Sequence, residues 1–140
     1  MPANYELNID HGVIEVCAWD LVTLADLAAY LREVSTLPND LSTVLEYIDL
    51  GGATELNISQ LGALQIAAHY EKLVDRGIQG SVIHAPSDKI YEAARTMIAT
   101  FVSVGGDLPH GYRLTRTPLA IRDVRPYLCG VAAETRRLVA

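Results

Sequence analysis

The residues best suited to chemistry lie in and just after the stretch DLGGATELNISQLGAL, residues 49–64. Asp49, Ser59 and His69 are the residue types of an acid, a nucleophile and a base. Ser59 and His69 are ten residues apart, which is about 15 Å along a helix at 1.5 Å per residue. Because that span prevents a direct hydrogen bond, the sequence does not predict a catalytic triad.

No other part of the sequence carries a recognisable catalytic pattern. There is no nucleophile elbow, phosphate-binding loop or paired-carboxylate signature. The two cysteines, Cys17 and Cys129, and the four histidines lie in unrelated segments without metal-ligand spacing. We therefore expect no catalytic residues, no metal and no cofactor, and the chain is not predicted to be an enzyme.

The elements around this stretch follow from residue type and period. Residues 44–48, VLEYI, suit a buried strand, and helical periodicity runs from Leu61 until Gly77. Residues 49–64 therefore predict a strand end, a short glycine-bearing loop and the start of an amphipathic helix. Asn57 and Ser59 are both helix-capping types, and Asn57 with Gln60 has the spacing of a capping box.

The remaining elements alternate between strands and helices. A hairpin is predicted from strands at 5–9 and 13–18, followed by a helix that a Thr23–Asp26 capping box begins. Then come a strand at 81–85, a helix capped by Ser87, a strand at 112–115, and a helix from 117 that Pro126 should end.

This order predicts an α/β fold with a mostly parallel sheet of about five strands, an antiparallel N-terminal strand, and four or five helices. The chain has 140 residues, half of them apolar, which suits one core and one domain. We assign residues 1–128 to that domain and 129–140 to a tail that is a weak helix candidate.

The stretch 49–64 resembles the signature of STAS domains, including the SpoIIAA-type anti-sigma-factor antagonists, which is approximately D-L-S-G-V-x-x-[IM]-D-S-S-G-L-G-x-L. The match needs no gap. Ten positions are identical or similar: Asp49, Leu50, Gly52, Thr54, Leu56, Ser59, Leu61, Gly62, Ala63 and Leu64. Further likeness lies at 20–23, where Asp20 replaces the usual glycine, and at 85–95, so that it covers most of residues 5–128.

The resemblance implies a SpoIIAA/STAS-like fold and a bacterial signalling role. In the phosphorylated antagonists, a serine or threonine after the second aspartate of the signature receives the phosphoryl group. Here Ile58 occupies that position, Asn57 replaces the aspartate, and Gln60 replaces a glycine. We therefore expect a regulatory, protein-interaction domain that lacks the usual phosphorylation switch.

Two kinds of binding site remain open. The first is a docking surface for a regulatory protein partner, with polar residues at the start or on the less apolar side of the second helix: Asn57, Ser59, Gln60, Gln65 and His69. The alternative is a site for a small apolar or anionic ligand at the amino ends of two helices, with Ser59, Ser87 and Lys89 as its contacts.

Composition narrows the classes of partner. The net charge of −6 disfavours nucleic acid, which requires clustered Lys and Arg. No apolar run reaches the roughly 18 residues of a membrane span, and the amino terminus lacks a secretion signal. We expect a cytoplasmic protein without membrane insertion. The high apolar fraction of the sequence is also compatible with a homodimer.

Overall fold

The computed structural model describes the backbone of residues 3–139 and the side chains of residues 3–130. Its nine elements follow one another as β1 (Ala3–Asn8), β2 (Val13–Thr23), α1 (Leu24–Ser35), β3 (Leu45–Asn57), α2 (Gln60–Asp75), β4 (Ser81–His84), α3 (Asp88–Ser103), β5 (Tyr112–Thr115) and α4 (Ile121–Val139). None of the helices within this described part is both long and apolar enough to cross a membrane.

The five strands form one sheet in the order β1-β2-β3-β4-β5. The first pair is an antiparallel hairpin, and every other neighbouring pair is parallel. The α/β fold class predicted from the sequence is therefore confirmed, with four helices. Two apolar clusters cover the sheet: α1, α2 and α3 contribute to the larger, while α4 contributes Val124 and Leu128 to the smaller.

The strand predicted to end near Asp49 is longer than expected. β3 continues to Asn57, and β2 continues beside it to Thr23, so the predicted glycine-bearing loop is wrong. Gly51 and Gly52 lie within the strand, and only Ile58 and Ser59 separate β3 from α2. Pairing with β2 outweighs the weak strand preference of glycine.

The last helix also departs from the prediction. α4 begins at Ile121 rather than at the predicted residue 117, and it continues through Pro126 to Val139. A proline removes one backbone hydrogen bond from a helix interior. Burial of Val124 and Leu128 on either side of Pro126 favours the continuous helix. The predicted boundary between residues 128 and 129 therefore lies within α4.

The hairpin turn and two predicted caps are confirmed. Gly12 in the β1–β2 turn has φ +63°, which glycine adopts without strain. Thr23 and Asp26 form the reciprocal capping box of α1, and the Ser87 hydroxyl accepts from the Ile90 amide at the start of α3. Local sequence signals therefore fix where these elements begin.

A buried carboxylate connects the sheet to two helices. Glu46 of β3 is fully buried, and its side chain accepts hydrogen bonds from the hydroxyls of Tyr30 on α1, Tyr70 on α2 and Ser81 on β4. The Tyr70 and Ser81 oxygens lie 2.5 and 2.6 Å from Oε1. Burial raises the pKa of Glu46, and the three hydroxyl donors oppose that shift.

We predict that Glu46→Leu lowers the free energy of unfolding by about 3–5 kcal/mol, because three buried hydroxyls lose their acceptor. Chemical denaturation at neutral pH measures this loss. An effect below about 1 kcal/mol would contradict the assignment of Glu46 as the shared acceptor of this cluster.

We also predict a specific pH dependence. Because the folded-state pKa of Glu46 lies above its ordinary value of 4.5, folding is favoured when this carboxyl is protonated, and the contribution is lost as pH rises through the folded-state pKa. Denaturation at a series of pH values should show this loss in the native chain and not in Glu46→Gln. The exposed-site control Glu71→Gln should retain the native profile.

Candidate functional site

The extension of β2 and β3 places the start of α2 beyond the rest of the sheet. β4 pairs only with residues Glu46–Asp49 of β3, whereas β2 pairs with β3 as far as Asn57. A two-stranded parallel ribbon therefore projects past β4, and two residues separate its end from α2. In the first turn of α2, Gln60 and Leu61 are exposed, whereas Gly62 and Ala63 are buried.

Ser59 fixes the point at which α2 begins. Its hydroxyl accepts a hydrogen bond of 3.0 Å from the Gly62 amide, so the predicted Ser59 cap is confirmed and the Asn57–Gln60 box is wrong. A Cβ on Gly62 would lie 3.3 Å from both Ile58 and Ser59 and 3.5 Å from Leu24 of α1. The small residue lets the first turns of α1 and α2 pack together.

The outer face of α2 carries exposed leucines. Leu61 is 66% exposed and Leu64 is 37% exposed, one helical turn apart. Gln65, Ala68 and Lys72 are exposed on the same side, since residues three, four and seven apart share a helix face. We call these five residues the α2 outer face. The exposed acids Glu71 and Asp75 border it on the Leu64 side.

The five residues predicted to bind a partner are all accessible but do not form one patch. Asn57 ends β3 and Ser59 caps α2. Within α2, Gln60 lies towards α3, Gln65 lies on the α2 outer face, and half-buried His69 lies towards α1. The helix therefore distributes the predicted residues over three directions.

The seam between α1 and α2 has a positive electrostatic character. Partial burial lowers the pKa of His69, and the cations Lys72 and Arg32 lower it further. Arg32 and Lys72 are exposed. The shift favours the neutral form of His69, which two positive charges flank.

An open groove lies between α2 and α3, with a volume of about 480 Å³. Its walls come from the end of β3, the start of α2 and one side of α3: Leu56, Ile58, Ser59, Gln60, Ala63, Glu92, Ala93, Thr96, Met97 and Thr100. Ser59 is the one residue of the alternative ligand site that lines it. Ser87 and Lys89 lie exposed at the start of α3 and do not line the groove.

Asp49 pairs with a histidine that the sequence pattern did not single out. Its Oδ1 lies 2.8 Å from His84 Nδ1 and accepts the Gly51 amide at 2.8 Å. The Nε2 of His84 is buried, and no described side chain or backbone group bonds to it. The pair therefore joins β3 to β4, with the imidazole buried and the Asp49 side chain 40% exposed.

No group of three or more His, Cys, Asp or Glu side chains among the described residues has a metal-binding arrangement. No protein-family model matches the chain, and neither a curated protein nor a solved structure shows a significant match.

Several residues of these surfaces are not among the predicted contacts. Leu61 and Leu64 match the signature, and their helical spacing places them opposite the buried Ile66, Ala67 and Tyr70. On α3, the spacing of Glu92, Thr96 and Thr100 is that of one polar helix face. Helical periodicity was the available signal for both sets.

We predict that Ser59→Ala lowers the free energy of unfolding by about 1 kcal/mol, because the Gly62 amide loses its acceptor. Asn57→Ala is the matched control, since Asn57 is exposed and ends a strand; its effect should stay within about 0.5 kcal/mol. Urea denaturation of both variants measures the difference, and equal losses would refute the cap assignment.

Proposed function

We propose that this chain is a non-enzymatic, STAS-like regulatory domain that binds a partner protein through the α2 outer face. The observation that carries the proposal is the exposure of Leu61 and Leu64 on one turn of a helix whose opposite side is buried. Large apolar side chains grouped on a surface are typical of protein interaction sites. The resemblance of residues 49–64 to the STAS signature supports the same class.

Charge defines the chemistry of the partner. Arg32 and Lys72 flank His69 next to the apolar residues, although the chain carries a net charge of −6. A complementary surface would place apolar side chains against Leu61 and Leu64 and carboxylates against the two cations. We therefore propose a partner protein with an apolar, acidic docking surface.

The usual phosphorylation switch of the antagonists has no acceptor here. Ile58 has no hydroxyl and packs against the larger apolar cluster, while the Ser59 hydroxyl caps α2. Binding through the α2 outer face then does not depend on phosphorylation at residue 58, the position that is phosphorylated in the antagonists. A cytoplasmic location and a bacterial signalling context remain part of this proposal.

An anionic ligand at the helix amino ends is less well supported. Ser59 lines the α2–α3 groove, but Ser87 and Lys89 do not, so the three predicted contacts do not converge. Arg116, beside the start of α3, is paired with Asp88 at 2.5 Å. The other form of this alternative, a site for a small apolar ligand, is supported separately by the α2–α3 groove.

We predict that Leu61→Asp weakens partner binding by roughly tenfold or more, because it places a charge in the apolar contact. The variant should fold normally, since Leu61 is exposed and an aspartate in the first helical turn is favourable. A photo-crosslinking amino acid at Gln65 identifies the partner in cells, and titration of the purified pair gives the dissociation constants.

Ile9→Asp is the matched control, because Ile9 is 74% exposed in the β1–β2 turn, away from α2. Its affinity should equal that of the native chain. An unchanged affinity for Leu61→Asp, or an equal loss for Ile9→Asp, would refute docking on this face. Crosslinking to a second copy of the chain would instead assign the face to a homodimer.

We further predict that partner affinity rises as pH falls from roughly 8 to 6. A partner carboxylate raises the pKa of His69, so binding takes up a proton and is favoured at lower pH. The expected gain is about threefold or more. Titrations across this range should show it in the native chain and not in His69→Gln; a gain that survives the substitution would assign the proton to another group.

A further inference from the structure

The α2–α3 groove adjoins two small spaces in the protein interior, each about 20 Å³. Tyr70 lines both interior spaces, and Met97 lines both of them and the groove. A methionine side chain is unbranched and adopts many rotamers. Met97 therefore forms a movable wall between the open groove and the core.

The inner space nearer β5 contains a hydroxyl without a partner. Tyr112 Oη is buried, and no described group hydrogen-bonds to it. Ser81 lines the same space, but its hydroxyl already donates to Glu46. A buried hydroxyl without a hydrogen bond costs about 1–3 kcal/mol, so an oxygen that accepts from Tyr112 would recover that free energy.

The electrostatics of these spaces select a neutral molecule. Glu46 lies behind the inner space, and none of the described lining residues is Lys or Arg; Glu92 of the groove is paired with Arg95 outside it. Burial and the charge of Glu46 raise the pKa of Tyr112, which keeps its hydroxyl a donor. A carboxylate or phosphate would meet like charge without a cation.

We propose that the α2–α3 groove is a binding site for a neutral, mainly apolar small molecule whose carbonyl, ester or alcohol oxygen accepts a hydrogen bond from Tyr112. The apolar part fills the groove beside Leu56 and Ala63, and rotation of Met97 admits the polar end. The groove volume of about 480 Å³ is within the range of small-molecule pockets, about 300–1,000 Å³.

Three nine-carbon probes test this chemistry: 2-nonanone, which has an acceptor oxygen, nonane, which has none, and the nonanoate anion. The chain has two methionines, Met1 and Met97, so ¹³C-methyl methionine gives a two-signal NMR spectrum that Met97→Leu assigns. We expect 2-nonanone to shift the Met97 methyl signal saturably and nonanoate to bind at least about fivefold more weakly.

Two variants make the test specific. Tyr112→Phe should weaken the binding of 2-nonanone by about fivefold, which corresponds to the loss of one hydrogen bond, and it should leave the affinity for nonane unchanged. Thr96→Trp should block the groove and abolish the shift. Tyr91→Phe is the matched control, because Tyr91 does not line the groove or the inner spaces.

The proposal is overturned if 2-nonanone gives no saturable shift up to its solubility limit, or if nonanoate binds as tightly. It is also overturned if Tyr112→Phe lowers the affinities for nonane and 2-nonanone equally, or if Tyr91→Phe lowers the affinity for 2-nonanone as much as Tyr112→Phe does. Because the titration uses the purified chain alone, its outcome is separate from partner docking on the α2 outer face.

Discussion

The buried carboxylate of Glu46 is the interaction on which the arrangement of the helices depends. It accepts hydroxyl donors from α1, α2 and β4, so one side chain of β3 sets the position of two helices and a neighbouring strand. A charge buried in this way is tolerated only when its oxygens are hydrogen-bonded. That requirement permits few placements of Tyr30 and Tyr70, and it therefore fixes the inner side of α2 against the sheet.

Fixing one side of α2 determines what its other sides present. The side towards α3 forms a groove, the side towards α1 holds His69 between two cations, and the side towards solvent carries Leu61 and Leu64. The ribbon of β2 and β3 places this helix start beyond the sheet, where a partner has access. A docking surface requires exposed apolar residues on an element that is held rigidly, and α2 combines an outer side with exposed leucines and an inner side packed on the sheet.

Much of the fold could be predicted from short-range signals. The Thr23–Asp26 box, the Ser87 cap, the glycine after α2 and strand β5 all depend on residues close together in sequence. The length of β3 could not be predicted in this way, because pairing with β2 resumes at Gly52 after a register shift beside Gly51 and carries the strand on to Asn57. The continuation of α4 through Pro126 likewise depends on packing against distant strands.

The start of α2 could be predicted from the sequence, but the side chains that its faces present could not. Sequence reasoning located the start of α2 and the Ser59 cap, and it favoured polar residues there as contacts. The exposed leucines were overlooked because apolar residues in an amphipathic helix are expected to face the core. The proposed roles of Met97 and Tyr112 depend on which side chains come into contact between α2 and α3. The spacing of residues along the chain does not predict those contacts.

Docking of a partner on α2 can be tested directly by hydrogen–deuterium exchange of the chain, alone and saturated with the partner protein captured from position 65. We expect binding to slow exchange over residues 59–69, with little change in the β1–β2 hairpin. Protection confined to β1 and β2, with α2 unchanged, would contradict it.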